Sequence, residues 1–145
     1  MQIDIKLLYE DAKIPTRGSE YAAGWDLYAY LPQEEQEIFP HTTILINTGI
    51  AVSIPQNYFG GIFARSGLAT KSGLRPANCT GVIDADYRGP VKVALHNDTD
   101  ETKIVVNGDR IAQLVIIPCT NINLNIVNEL DTTIRGTDGF GSTGV

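Results

Sequence analysis

The chain has 145 residues, 43% of them hydrophobic, and a formal net charge of −6. That is one domain, with room for a core that buries roughly two-thirds of the unfolded surface. The acidic balance, with eleven Lys and Arg set singly along the chain, excludes the basic face that non-specific nucleic-acid binding needs. No apolar run approaches the ~20 residues of a membrane span, and Met1-Gln2-Ile3-Asp4 does not open a signal peptide, so no membrane partner and a cytoplasmic location are expected. Cys79 and Cys119 lack CxxC spacing and read as reduced core thiols, with a disulfide as the alternative. Two histidines, His41 and His96, leave little for a zinc site or a Ser-His-Asp triad.

In chain order, Ile3, Ile5 and Leu7 alternate with polar residues as a strand does. Residues 22–29 read as a second strand, and 32–40, with Glu34, Glu35 and Glu37, as a solvated loop. Three short β runs follow at 42–47, 49–54 and 58–64, punctuated by Gly49 and Pro55-Gln56-Asn57. Only 66–73 has helical character. Val82-Ile83 and the run from Val91 to Leu95 flank Asp84-Ala85-Asp86-Tyr87-Arg88-Gly89, which predicts a hairpin with carboxylates, a ring and a guanidinium at its tip. Asn97 to Glu101 is a polar turn. A second hairpin is expected across Asn107-Gly108, between 103–106 and 110–117. The second arm is apolar on both rows except for Gln113, which hints that one face packs on another subunit. Ile122, Leu124 and Ile126 predict a last strand, and from Asp131 the chain turns Gly-rich. The sum is an all-β barrel or jelly roll.

Five places carry chemistry. Arg65-Ser66-Gly67 comes off a strand into the short helix, with Ser66 as its N-cap, and gathers a hydroxyl, a guanidinium and amide N–H groups. An ordinary capped turn with a surface Arg is the alternative. Asp26 is either a strand-surface carboxylate or an outer-shell group for a metal. Gln113 is half buried by its row and needs a hydrogen-bond partner, from core backbone or from a ligand. Asp84 and Asp86 share parity and suit a division of labour in which one takes a proton from water. The four glycines after Arg135 read as a frayed end or as an arm that sets Arg135 and Phe140 over a ligand.

Five stretches in order resemble the trimeric all-β dUTPases from end to end. They are Ala23-Gly24-Trp25-Asp26-Leu27, Arg65-Ser66-Gly67-Leu68-Ala69, Gly81-Val82-Ile83-Asp84-Ala85-Asp86-Tyr87-Arg88-Gly89, Gly108-Asp109-Arg110-Ile111-Ala112-Gln113-Leu114, and residues 135–144. The resemblance implies an all-β, distorted jelly-roll or β-clip barrel with one short helix, forming a homotrimer with shared active sites. It implies a core domain over 1–130 and a flexible Gly-rich arm over 131–145 that closes the site. The implied activity is Mg²⁺-dependent hydrolysis of dUTP to dUMP and pyrophosphate. By the resemblance Asp84 is the general base on the attacking water, and Asp26 holds Mg²⁺ through water. Arg65, Ser66, Gly67 and Gln113 bind phosphate oxygens. Gly81, Val82 and Ile83 read the uracil through their backbone, with Asn78 beside them. Tyr87 packs on the sugar, Arg135 clamps the γ-phosphate, and Phe140 with Gly141 closes on the base. Trp25 stands where the family often has Tyr or another apolar residue, and Asp109 where Glu is frequent. A dCTP deaminase of the same fold and a non-catalytic regulatory protein on this fold are the competing expectations.

Overall fold

The computed structural model describes residues 2–139; Phe140 and Gly141 lie outside them. Its strands are β1 (Asp4–Leu7), β2 (Thr16–Arg17), β3 (Trp25–Tyr28), β4 (Glu35–Ile38), β5 (Thr43–Asn47), β6 (Ile50–Ser53) and β7 (Tyr58–Phe63). After the helix α1 (Ser66–Ser72) come β8 (Leu74–Pro76), β9 (Gly81–Ile83), β10 (Lys92–Asn97), β11 (Lys103–Val106) and β12 (Arg110–Pro118). They form a five-stranded sheet in the order β2-β3-β12-β7-β9, a three-stranded sheet β5-β10-β8, and the pairs β1-β6 and β11-β4. The chain is all-β apart from α1, and jelly-roll-like. Among the described residues no helix is long and apolar enough to cross a membrane.

The inward rows of these sheets meet in one core, in which Leu27, Ile38, Ile46, Ile50, Val93, Leu95 and Ile111 are each at most 1% exposed. Short strands suffice because each turns one row inward. In β10 the burial alternates strictly, with Val93, Leu95 and Asn97 in and Lys92 out. The helix stays short because Gly73, at φ 68°, caps it in the left-handed region, its N–H returning to the Leu68 carbonyl. Arg65, not Ser66, occupies the N-cap position and makes no side-chain cap.

Both expected hairpins are corners between sheets. β9 pairs with β7 while β10 pairs with β5 and β8, so residues 84–91 carry the chain from the large sheet to the three-stranded one. Likewise β11 pairs with β4, and β12 with β3 and β7. Asn107-Gly108 does turn the chain, closed by the Asp109 N–H on the Val106 carbonyl at 3.0 Å, but Asn107 spends its side chain on the Leu31 N–H at 3.0 Å. The acidic loop contains β4, whose Ile38 is fully buried while Glu35 and Glu37 face solvent. The second strand is shorter than 22–29. No strand forms at 122–126: Ile122, Leu124 and Ile126 are 69%, 91% and 97% exposed, since no strand among the described residues lies beside them. Cys79 and Cys119 are free and exposed, against the expected core thiols, because both sit in loops flanking strand ends.

Asn97 fell in an expected polar turn and is instead fully buried. Its Nδ2 donates to the carbonyls of Ile38 (2.9 Å) and Glu101 (2.7 Å), and its Oδ1 accepts from the Thr99 N–H (2.9 Å) and hydroxyl (2.8 Å). One amide thus satisfies the backbone where β10, β4 and the following turn converge. Replacing Asn97 with Ala orphans these groups and is expected to lower the unfolding free energy by about 2–3 kcal/mol, read as a shifted urea midpoint at fixed protein concentration.

Candidate active site

Apart from Arg135, and from Phe140 and Gly141 outside the described residues, the site residues expected from sequence fall into two groups at opposite ends of one strand pair. The first group lies where β3, β7 and β12 end beside α1. Asp26 points away from its apolar neighbours and is nearly enclosed; its Oδ1 accepts from Arg65 Nε at 2.7 Å and its Oδ2 from Arg110 Nη1 at 3.3 Å. One carboxylate therefore fixes two guanidiniums at this end of the sheet. Gln113, opposite both Asp26 and Phe63 in the ladder, donates through Nε2 to the Ala64 carbonyl at 2.9 Å. Its partner is thus core backbone. The amide lies flat over Gly24, where a Cβ would run into Oε1 and sit 3.2 Å from Gln113 Cβ. Ser66 and Gly67 stand exposed next to Arg65.

Arg110 was not singled out from sequence. The pairing of β12 with β3 shifts between Arg110 and Ala112, an irregularity of the kind that re-aims a side chain, and Arg110 reaches the carboxylate of Asp26 although Tyr28 is its ladder partner. The signal available was its place three residues before Gln113 in a strand otherwise apolar on both rows.

The second group surrounds a cavity of about 370 Å³ lined by Asn78, Gly81, Val82, Ile83, Asp84 and Tyr87, with Leu45, Ile62 and Lys92 completing its walls. β9 is the edge strand of the large sheet, so among the described residues one side of its backbone has no strand neighbour. Asp84 is exposed and also borders a second cavity of about 420 Å³ with Asn57, Tyr58 and Cys119. The strand that delivers Asn78 is anchored by Arg75, whose Nε and Nη2 bind Asp98 at 2.7 and 2.9 Å and hold that carboxyl below its usual range. The tip is braced internally. Tyr87 N–H donates to the Asp84 carbonyl at 3.2 Å, and Arg88 Nη1 bridges the carbonyls of Ala85 (2.7 Å) and Tyr87 (2.8 Å).

The ladder fixes how far apart the groups are. Gly60 opposes Ile83 and Ile62 opposes Gly81, so Asp84 follows the end of β9 near Phe59, while Arg65 follows the other end of β7. At ~3.3 Å per residue the two stand roughly 16–20 Å apart along the strand. Arg135 belongs to neither group: it lies in the exposed segment after β12, with Nε donating to the Asp138 carbonyl at 2.9 Å.

The sequence model of the dUTPase family matches residues 10–144. A deoxyuridine 5'-triphosphate nucleotidohydrolase of Yarrowia lipolytica is 45% identical over all of this chain and 90% of its own length. That of Escherichia phage T5 is 44% identical, with 98% of each chain covered. Among solved structures, a mutant dUTPase of Staphylococcus bacteriophage 80alpha with dUpNHpp superposes with a TM-score of 0.90 at 31% identity, over 99% of both chains. Sequence pattern and fold agree along the length of the molecule, and the chain belongs to the dUTPase family.

Proposed function

We propose that the protein hydrolyses dUTP to dUMP and pyrophosphate in sites shared between the subunits of a homotrimer. The observation that carries this reading is the edge strand β9, which borders the cavity that Asp84, Asn78 and Tyr87 also line. Free backbone N–H and C=O groups between Gly81 and Ile83 pair with uracil O4 and N3–H. Cytosine presents the reverse pattern and leaves those groups unpaired, a penalty large enough to reject it. Tyr87 packs on the deoxyribose and fills the space that a 2′-hydroxyl needs.

Asp84 takes a proton from a water that attacks the α-phosphorus. The new P–O bond forms as the bond to the bridging oxygen breaks, and pyrophosphate leaves in line. Arg65, Ser66, Gly67 and Gln113 bind the phosphate oxygens, Asp26 having already fixed the Arg65 guanidinium in place. The strand-length separation of Asp84 from this phosphate-binding set is what supports sharing: the set facing a given Asp84 comes from a second copy. Exposed Ile122, Leu124 and Ile126, and an apolar groove of about 510 Å³ lined by Ile3, Ile5, Trp25, Leu114 and Ile116, supply surface for such an assembly. The arm over 131–145 closes from a further subunit, with Arg135 on the γ-phosphate and Phe140 and Gly141 over the base.

Asp26 fits a water-held Mg²⁺. Each of its oxygens accepts a guanidinium N–H yet keeps a lone pair for water, and Mg²⁺ retains several waters when it arrives with a triphosphate. No cluster of three His, Cys, Asp or Glu able to hold a metal directly occurs among the described residues. When bound, the ion neutralises charge on the phosphates.

The test is pyrophosphate release from dUTP, dCTP, dTTP and UTP with and without Mg²⁺: release from dUTP with Mg²⁺ is expected, and deamination of dCTP in its place would overturn the assignment. Asp84→Asn should retain nucleotide binding and lose ~10²–10⁴-fold in kcat, and a near-normal rate would remove Asp84 from the base role. Deleting residues 135–145 should leave the oligomer intact in sizing experiments and abolish most activity; a fully active truncation would contradict closure by the arm.

A further inference from the structure

Gly89 has no positive-φ requirement, yet it cannot carry a side chain where it stands. A Cβ built there would collide with the Tyr87 hydroxyl and lie 2.6 Å from Cζ and 3.0 Å from Cε2. The Tyr87 ring therefore lies across the Gly89 backbone. Its hydroxyl donates to the Pro90 carbonyl at 3.1 Å, which ties down the far end of the ring. Tyr87 is 45% exposed and has no core packing to hold it. Its orientation is set by a bare backbone beneath it and one hydrogen bond at its tip.

We propose that Gly89 and the Pro90 carbonyl are positioning elements for sugar discrimination: they preset Tyr87 as the wall that excludes a ribose. The proposal rests on the sugar-packing role assigned to Tyr87 above. A methyl group at residue 89 contacts the movable end of a half-exposed ring, so the ring swings and the core does not. The consequence is a change in selectivity and not in stability. The displaced ring opens the space it occupied, and UTP gains relative to dUTP.

Gly89→Ala, Tyr87→Phe, Tyr87→Ala and the double variant G89A/Y87A are compared with the wild type for kcat/KM on dUTP and UTP. In Gly89→Ala the dUTP-to-UTP preference should fall ~10-fold or more, with an unchanged melting curve. Combining it with Tyr87→Ala should add nothing further, because both act through one ring. Tyr87→Phe removes the tether without adding an atom, and should lower the preference by a smaller factor; it also serves if Gly89→Ala does not fold. A preference within about twofold of wild type in both Gly89→Ala and Tyr87→Phe, equal losses on the two nucleotides, or additive effects in the double variant would overturn the proposal. If the wild type releases no pyrophosphate from dUTP, the hydrolase assignment fails instead. A crystal structure of Gly89→Ala then decides the positioning claim, since a Tyr87 ring still lying across residue 89 would refute it.

Discussion

The antiparallel pairing of β7 with β9 is the constraint from which the arrangement of the candidate site follows. Three ladder pairs place Asp84 past one end and Arg65 past the other. No side-chain rotation closes a gap of roughly 16–20 Å, because even a fully extended Arg spans less than half of it. The same pairing leaves the outer edge of β9 without a strand neighbour. An exposed edge is a hazard in most sheets; here it is three residues long and ends in a carboxylate-bearing corner, which suits it to a small planar ligand better than to another long strand.

The sequence was a better guide to where single residues stand than to the connectivity of the sheets. Val82-Ile83 and the run after Pro90 were each legible as strands, and Asp84 and Tyr87 as the residues between them. Which strands they pair with was not legible, because local alternation is satisfied equally by a hairpin and by a corner that passes between two sheets. Asn107-Gly108 shows the same ambiguity: its dihedral tolerance predicts a turn, and it makes one, but whether the flanking strands bond to each other depends on β3 and β4, which lie far upstream in the chain. For Gln113 the sequence required a partner, since a half-buried amide in an apolar row must find one, but left it open between backbone and ligand; the Ala64 carbonyl takes its Nε2.

The misses have physical causes of two kinds. Ile122, Leu124 and Ile126 carry a sound strand period, but a strand needs a neighbour, and none lies beside them among the described residues. Glu35 and Glu37 concealed β4 because a solvent-facing acidic row looks like a loop until Ile38 is seen in the core. Arg110 escaped notice because its partner lies 84 positions away, and only the shift in the β12–β3 register brings guanidinium and carboxylate together.

Each half of the candidate site is ordered by its own bonds. On one side Asp26 holds Arg65 and Arg110, and the Ala64 carbonyl holds Gln113 over Gly24. On the other, Arg88 bridges two carbonyls, Tyr87 is fastened to Pro90, and Arg75 with Asp98 steadies the strand leading to Asn78. Polar groups fixed before a ligand arrives lose little entropy on binding it, and their dipoles need no reorientation as charge shifts during reaction. A site divided between chains is workable only under that condition. If either half were loose, the alignment of water, phosphorus and leaving group would depend on two uncertain geometries at once, and small misplacements are costly in rate. The short braces inside each chain are therefore as much a part of the proposed chemistry as the carboxylate that performs it.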